Sequence, residues 1–178
     1  MKPKIVAFCG VIGSGKDYNS KKYIEQGYKH YNFADPLKNI IFETLKIKNI
    51  DENLYELFKT NYWNPNIKIF PSFTGRDLLQ FGNTVRKYLG QDVWVNAWHN
   101  NIKEYEKVTV SDCRYYNEAK KIISLGGEIF FCDYRSSLKY NSKTKFESEI
   151  MAQKLLSLGF KDGDNLTDYF IKLNDEII

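Results

Sequence analysis

The sequence predicts an α/β fold of three layers, in which about five parallel strands form a sheet with helices on both faces. Apolar runs typical of buried strands alternate along the chain with segments whose apolar residues recur at helical spacing. Right-handed crossovers between parallel strands place the intervening helices on both sides of the sheet. The length of 178 residues, of which 43% are hydrophobic, suits one domain, so a single domain over residues 1–178 is expected.

The first predicted strand, Ile5 to Cys9, leads into a glycine-rich loop, Gly10 to Asp17, that reads Gly-Val-Ile-Gly-Ser-Gly-Lys-Asp. Glycines let the backbone approach a ligand closely and turn successive N–H groups toward phosphate oxygens, while Lys16 adds a mobile positive charge. The spacing matches the phosphate-binding pattern G-x-x-x-x-G-K-[ST] except at its last position, where Asp17 replaces the hydroxyl residue that normally contacts Mg²⁺. A carboxylate can also hold that metal, directly or through water.

The position of this loop, directly after a predicted buried strand, favours a phosphate site over the alternative of a plain glycine turn with a surface lysine. The fold is therefore expected to be that of the P-loop NTPases, with the nucleotide at the carboxyl edge of the strands. ATP and Mg²⁺ are the expected cofactors, with Asp17 at the metal. The loop residues expected to bind ATP are Gly10, Val11, Gly13, Ser14, Gly15, Lys16 and Asp17.

The segment after the loop predicts a helix over Asp17 to Gln26 and a second strand over Tyr28 to Phe33. Asp35 is placed to cap the following helix, and Lys38 lies in its first turn. The local sequence pattern alone favours a helix cap for Asp35 and a solvated first-turn position for Lys38. Residues 51–73 mix aromatic and turn residues irregularly, which indicates an insertion over a cleft.

A strongly amphipathic helix is predicted from Thr74 to Leu89. Arg76 and Gln80 lie on its polar face, and the guanidinium of Arg76, in the first turn, can hold a phosphate together with helix N–H groups. The alternative for such a face is a solvated surface. In the next helix, opened by Asp92, Trp94 lies on an apolar stripe that is more often core than a platform for base stacking.

Lys107 to Asp112 predicts a buried strand that ends on an acidic residue. Functional groups collect at the carboxyl edge of the strands in open α/β sheets, so Asp112 resembles the metal-organising acid of a Walker B motif. The equally good alternative is that Asp112 caps the helix that opens in the following segment, Cys113 to Glu118.

Two further strands are predicted, from Glu128 to Tyr134 and from Tyr169 to Leu173. The second of these ends at Asn174, which is included among the residues expected to bind ATP. Arg135 follows the first and leads into Ser136 to Lys145, a polar segment that carries lysines. This segment is typical either of a lid that brings cations over the transferred phosphate or of an ordinary surface loop.

The composition bounds the class of protein. A net charge of +4 is mild for a chain of this size and does not indicate a DNA-binding protein. The three cysteines, Cys9, Cys113 and Cys132, lie in or beside apolar runs without metal-ligand spacing, which indicates buried, reduced thiols. No segment approaches the apolar length needed to span a bilayer, and no signal-peptide core precedes the first strand, so a cytoplasmic protein is expected.

A series of motifs follows in order along nearly the whole chain. They are Gly10 to Asp17, Phe33 to Lys38, Gly75 to Gly82, Asp92 to Val95, Ser111 to Glu118, and Ser148-Glu149. In this combination the sequence resembles the bacteriophage deoxynucleoside monophosphate kinases, a branch of the phosphate-loop nucleoside monophosphate kinases. The loop alone would indicate only the superfamily, whereas the ordered combination is much more specific.

The resemblance implies transfer of the ATP γ-phosphate to a deoxynucleoside 5′-monophosphate, in the host cytoplasm if a phage encodes the chain. It also implies a helical acceptor-binding region over residues 35–105 and a short lid over residues 135–148. The catalytic residues that it implies are Lys16, Arg114 and Arg135, with Arg135 as a lid cation. The substrate-binding residues that it implies are Asp35, Lys38, Arg76, Gln80, Trp94, Asp112, Arg114 and Glu118, and the metal-binding residues are Asp17 and Asp112.

Two other functions are compatible with the sequence. One is a phosphate-loop kinase for another small phosphorylated acceptor, such as dephospho-coenzyme A or phosphomevalonate. The other is a non-catalytic, ATP-binding regulatory module, although the polar face of residues 74–89 counts against it because an ATP switch needs no second phosphate grip. The expected partners are small nucleotides, with no stable binding to nucleic acid or membrane, and a homodimer is left open.

Overall fold

The computed structural model of the chain describes residues 3–47, 75–133 and 147–175, which form four strands and seven helices. The strands are β1 (Lys4–Cys9), β2 (Lys29–His30), β3 (Lys107–Cys113) and β4 (Glu128–Phe131). The helices are α1 (Lys16–Ile24), α2 (Asp35–Ile47), α3 (Gly75–Leu89), α4 (Val93–Ile102), α5 (Tyr116–Ser124), α6 (Glu147–Ser157) and α7 (Thr167–Asp175). None of the described helices combines the length and the apolar character needed to cross a bilayer.

The four strands form one parallel sheet in the order β2-β3-β1-β4. β1 pairs with β3 on one side and with β4 on the other, and its residues Ile5 to Cys9 are buried. A strand covered on both faces needs a continuous apolar run rather than alternation, which is what this segment supplies. The connections that leave the carboxyl ends of the adjacent strands β1 and β3 lead to opposite edges of the sheet, an arrangement that favours a ligand crevice at that end.

Helices cover both faces of β1. Phe8 points toward α1, where its ring lies 5.7 Å from the ring of Tyr23, measured between centroids. Ile5, of opposite parity, faces α5 across Gly127, where a Cβ atom would approach Ile5 and Ile122 to 2.9 and 2.7 Å. The predicted α/β class with a parallel sheet is therefore confirmed, and the arrangement is compatible with three layers.

The predicted fifth strand, Tyr169 to Leu173, is wrong because this segment lies within α7. The helix is started by local hydrogen bonds: the Asn165 side chain accepts from the Thr167 N–H (2.9 Å), and the Phe170 N–H donates to the Leu166 carbonyl (3.0 Å). Leu166 and Phe170, four residues apart, are both buried, which is the spacing of a helical face rather than of a strand. The short run of aromatic and branched residues was therefore a misleading strand signal.

In place of a fifth strand, the stretch that precedes α7 forms hydrogen bonds with the outer edge of β4. The Phe131 N–H donates to the Asp164 carbonyl (2.8 Å), and the Leu166 N–H donates to the Ile129 carbonyl (2.7 Å). These bonds accompany an isolated antiparallel bridge between Phe130 and Asn165. Within the described residues the sheet thus has four strands rather than about five.

The second strand is shorter than predicted, since β2 covers Lys29–His30 only. The Tyr31 N–H still donates to the Thr109 carbonyl (3.1 Å). Beyond Tyr31 the chain pairs through side chains: the Asn32 side chain accepts from the Ser111 N–H (2.8 Å), and the Phe33 N–H donates to a carboxylate oxygen of Asp112 (2.9 Å). Side chains therefore replace the ladder of main-chain hydrogen bonds at the carboxyl ends of β2 and β3.

The chain divides into two compact units, of which unit 1 comprises Met1–Phe33 with Trp98–Ile178 and unit 2 comprises Ala34–Ala97. Unit 1 holds the sheet and the glycine-rich loop. In unit 2 the indole Nε1 of Trp94 donates to the carbonyl of Gly82 in α3 (3.0 Å), and both Trp94 and Leu37 are buried. The predicted insertion at residues 51–73 and most of the predicted lid at residues 135–148 lie outside the described residues.

Candidate phosphate site

The glycine-rich loop connects the end of β1 to the start of α1. Gly13 and Gly15 have φ values of 75° and 89°, in the left-handed region that glycine adopts most readily. At Gly10 a Cβ atom would overlap the carbonyl oxygen of Cys132 and crowd the Ser14 hydroxyl. The Gly15 carbonyl accepts the first helical bond, from the Asn19 N–H (3.0 Å), so α1 begins directly at the end of the loop.

Two buried polar side chains lie in this loop. The ammonium Nζ of Lys16 donates to the carbonyl oxygens of Gly10 and Val11, at 2.7 Å each, and the residue is only 7% exposed. The hydroxyl of Ser14 is buried and has no hydrogen-bond partner among the described residues. A buried hydroxyl normally finds a partner, so its position beside a lysine and a helix N-terminus fits an anionic oxygen as the missing one.

Next to the loop, four polar residues from α1, β2, β3 and the stretch that follows β2 form what we call the Ser111 cluster: Ser111, Asp17, His30 and Asn32. The Ser111 hydroxyl donates to Asp17 Oδ1 (2.5 Å) and lies 3.0 Å from His30 Nε2. The Asn32 side chain donates to the same hydroxyl (3.2 Å) and accepts from the Ser111 N–H (2.8 Å). The cluster joins the start of α1 to the carboxyl ends of β2 and β3, all within unit 1.

Asp112 does not cap the following helix, which was one of its two predicted roles. α5 begins at Tyr116, and the residue at its N-cap position is Tyr115. The Asp112 carboxylate accepts the Phe33 N–H instead and so ties the end of β3 to the chain after β2. Its predicted part in metal binding stays a prediction, and no group of three or more His, Cys, Asp or Glu side chains suited to a metal is present in the described part of the chain.

Glu118 and Arg114 lie at the turn between β3 and α5. The buried Glu118 carboxylate accepts from the backbone N–H groups of Arg114 (2.7 Å) and Tyr115 (3.0 Å). Glu118 therefore fixes the backbone from which the partly exposed Arg114 side chain extends. Their predicted contacts with substrate stay predictions.

The predicted acceptor residues that the structure describes belong to unit 2. Lys38 and Asp35, in the first turn of α2, form an ion pair of 2.7 Å in which Lys38 is buried. Gln80 is exposed on α3, whereas Trp94 is 4% exposed and bonded to Gly82. The structural interpretation of Trp94 as a core residue is thus supported by its burial.

Three other predicted residues have no described side chain. Arg135 lies outside the described residues, and of Arg76 and Asn174 only the backbone is described. Arg76 is in the first turn of α3, as predicted. Asn174 lies in α7, whereas the sequence had placed it at the end of a strand.

Sequence reasoning missed Ser111, His30 and Asn32. A weak signal was present, because Thr109 and Ser111 alternate with valines in a buried strand, and His30 and Asn32 alternate with aromatic residues. Their convergence depends on the parallel pairing of β2 with β3, in which His30 is opposite Thr109. No local pattern contains that information.

The three cysteines surround the base of the loop at the ends of β1, β3 and β4, and all are free and buried. Burial raises the pKa of the Cys9 thiol to about 12 and raises the pKa values of Cys113 and Cys132 as well, because the thiolate loses its hydration. The thiols are therefore neutral at physiological pH, which excludes them as nucleophiles there.

Comparison of the chain with protein-family models and with curated proteins found no match.

Proposed function

We propose that this chain is an ATP-dependent kinase of the P-loop type that phosphorylates deoxynucleoside 5′-monophosphates. The observation that carries the proposal is the loop between β1 and α1. At the start of the helix it holds a buried lysine and a buried hydroxyl that has no hydrogen-bond partner in the described part of the chain. The strand order supports it, since this loop follows the central strand β1 at the edge where ligands bind in open α/β sheets.

The residues of the loop fit the phosphates of ATP. Gly10 leaves no room for a side chain, and Gly13 and Gly15 hold left-handed conformations that glycine adopts readily. Lys16 Nζ at present contacts two neutral carbonyl groups, and an ammonium group bonds more strongly to an anionic oxygen. The Ser14 hydroxyl would gain the partner that it lacks.

Two carboxylates, Asp17 in the first turn of α1 and Asp112 near the end of β3, fit Mg²⁺. This ion commonly uses one or two protein carboxylates together with water and phosphate oxygens, so a dedicated cluster of three ligands is not required. Asp17 is exposed, with one carboxylate oxygen bonded to Ser111, and Asp112 lies at the end of β3. When bound, Mg·ATP supplies the transferable phosphoryl group and a divalent charge that offsets its negative charge.

The protein needs to do little covalent chemistry in this reaction. The acceptor phosphate is itself an ionised nucleophile, so no strong general base is required. Lys16 and Arg114 would stabilise the negative charge on the transferred group, and Arg135 is proposed to do so from the lid. Lys38 and Arg76 would hold the acceptor phosphate, with Asp35 orienting the ammonium group of Lys38 through their ion pair.

The resemblance in sequence selects the acceptor class, and an assay of ADP release can test it. We expect ATP and Mg²⁺ to give ADP formation that depends on a deoxynucleoside monophosphate, with ribonucleoside monophosphates, dephospho-coenzyme A and phosphomevalonate compared in parallel. Turnover with one of the last two instead would reassign the acceptor. ATP binding without turnover on any acceptor would contradict the kinase proposal and favour a regulatory module.

Arg76→Ala provides a sharper arm of the same assay. If Arg76 holds the acceptor phosphate, its loss should raise the acceptor KM roughly tenfold or more while the KM for ATP changes little, as expected when one charge-assisted hydrogen bond is removed. Arg86→Ala, in the last turn of the same helix, is the matched control. An unchanged acceptor KM in Arg76→Ala would remove this residue from the site.

A further inference from the structure

The loop residue that replaces the usual hydroxyl is itself bonded to a hydroxyl on the neighbouring strand. Ser111 Oγ lies 2.5 Å from Asp17 Oδ1, and Ser111 is 3% exposed. A distance this short is typical of a hydroxyl that donates to an ionised carboxylate. In the usual arrangement the loop carries the hydroxyl residue and the neighbouring strand carries the acidic one. Here the carboxylate is on the loop and the hydroxyl is on β3.

The hydrogen atoms of the Ser111 cluster can be assigned from its geometry. A hydroxyl has one hydrogen and two lone pairs, and an ionised carboxylate can only accept. The hydrogen of Ser111 Oγ therefore lies on the bond to Asp17, and the hydroxyl accepts from the Asn32 amide and from His30 Nε2. His30 must then carry a hydrogen on Nε2.

This arrangement leaves one oxygen of Asp17 available. Asp17 is exposed, and among the described residues the only hydrogen bond of its carboxylate is the one from Ser111. Ser111, in contrast, is held on three sides, by its place in β3, by Asn32 and by His30. The exposed Asp17 carboxylate is therefore bonded to a hydroxyl that is itself hydrogen-bonded to two neighbouring residues.

We propose that Ser111 is a positioning residue that holds Asp17 Oδ1 so that Oδ2 faces the divalent cation of bound Mg·ATP. This inference rests on the proposed function, since it assumes that the loop binds ATP with a metal. Partners of this kind behind a metal ligand change metal affinity by about 10- to 100-fold when they are removed.

The test measures the dissociation constant of a fluorescent ATP analogue in EDTA and in Mg²⁺. The constant in EDTA divided by the constant in Mg²⁺ measures the coupling between metal and nucleotide. Ser111→Ala should lower this ratio about tenfold, while the dissociation constant in EDTA stays within about twofold. Ser111→Thr, which keeps the hydroxyl, should stay close to wild type. In an Asp17→Asn background, Ser111→Ala should have no further effect on the ratio.

Thr109→Val is the matched control. Thr109 lies two residues before Ser111 on the same face of β3, and its hydroxyl bonds to Ser20 of α1 at 3.0 Å. The substitution removes a buried bond between the same two elements without touching Asp17, so it should leave the ratio unchanged. Ser111→Cys, nearly the same size but a weak donor, serves as a second variant if Ser111→Ala does not fold.

The outcomes separate the two proposals. If the wild-type chain binds no ATP analogue, or binds it without any effect of Mg²⁺, the proposed function and this inference both fail. If Mg²⁺ strengthens binding to wild type but equally to Ser111→Ala or Ser111→Cys, only the positioning role fails. If Thr109→Val lowers the ratio of dissociation constants as much as Ser111→Ala does, the effect comes from the packing of α1 on β3 and the inference is overturned.

Discussion

Gly10 shows how a single residue determines the path of the loop. Its position leaves no space for a side-chain carbon, because the carbonyl of Cys132 and the hydroxyl of Ser14 are too close. Gly27, which also has a positive φ (+84°), has open space around it. Substituting each glycine by alanine therefore compares a position where a side chain meets other atoms with a position where only the backbone conformation is unfavourable.

Gly10→Ala should lower the free energy of unfolding more than Gly27→Ala does. Gly27→Ala forces a side chain into the left-handed region, which costs about 1 kcal/mol. Gly10→Ala adds overpacking against backbone, which costs a further 1 to 3 kcal/mol, roughly. Urea unfolding of both variants measures the difference, and equal losses would show that the loop can move away from Cys132.

Cys9 gives the protein a stability that depends on pH. Burial raises its folded-state pKa from 9.0 to about 12. Above pH 9 the unfolded chain loses this proton while the folded chain keeps it, so the contribution is fully present below pH 9 and is lost progressively up to about pH 12.

Cys9→Ala should therefore reduce the loss of stability at alkaline pH. Between pH 8 and pH 10 the wild-type free energy of unfolding should fall by about 1 kcal/mol more than that of the variant. Urea unfolding at the two pH values measures both changes, which removes the contribution of other titrating groups. Identical changes in both proteins would mean that Cys9 ionises as readily in the fold as in the unfolded chain.

The sequence was sufficient to predict that the glycine-rich loop follows the first strand and precedes a helix, whereas the binding roles of its residues stay predictions. The glycines and Lys16 could be predicted because their pattern is contained in one loop after one strand. Ser111 and His30 could not, since the register of β2 on β3 brings them together. Asp112 was predicted either to bind metal or to cap the following helix. The capping role is wrong, because α5 starts later in the chain.

At the scale of elements, α7 shows why short apolar runs are ambiguous. A run of five residues such as Tyr169 to Leu173 fits a strand or part of a helix, and the flanking residues decide. Here Asn165 starts a helix, and the adjacent stretch already bonds to the edge of β4. The longer helix α3 was predicted closely because it repeats its apolar period over several turns.

The inward face of α7 should carry most of its stabilising effect. Phe170 is 2% exposed and Ile171, the next residue, is 41% exposed. Phe170→Ala should lower the free energy of unfolding by about 3 to 5 kcal/mol, whereas Ile171→Ala should cost less than about 1 kcal/mol. Denaturant unfolding compares them, and similar losses for the two would contradict the burial of Phe170 alone on the inward face of α7.

Trp94 allows a structural role to be separated from a role in binding. Its indole donates to the Gly82 carbonyl within unit 2, so Trp94→Phe keeps an aromatic ring but leaves that buried carbonyl without this donor. The free energy of unfolding should fall by about 1 to 3 kcal/mol. Steady-state kinetics on the folded variant should show an acceptor KM within about twofold of wild type, and a large rise in KM at unchanged stability would restore the base-binding role.

At the scale of the whole molecule, the alternation of strands and helices was enough to predict the α/β class and the parallel sheet. The number of strands was not, because the last segment satisfies the edge of β4 as an irregular stretch and then turns into a helix. The proposed phosphate and metal site lies at the carboxyl edge of β1 and β3, where the loop, Asp17 and Ser111 occur together.

We propose that this chain moves a phosphoryl group from ATP to a deoxynucleoside monophosphate. The most direct measurement is ³¹P NMR of ATP, Mg²⁺ and the monophosphate with the wild-type chain and with Lys16→Ala. The account predicts that the γ-phosphate signal is replaced by the β-phosphate signal of a deoxynucleoside diphosphate, and that Lys16→Ala slows this about 100-fold or more. A γ-phosphate that persists, or that appears only as inorganic phosphate whether or not the monophosphate is present, would contradict it.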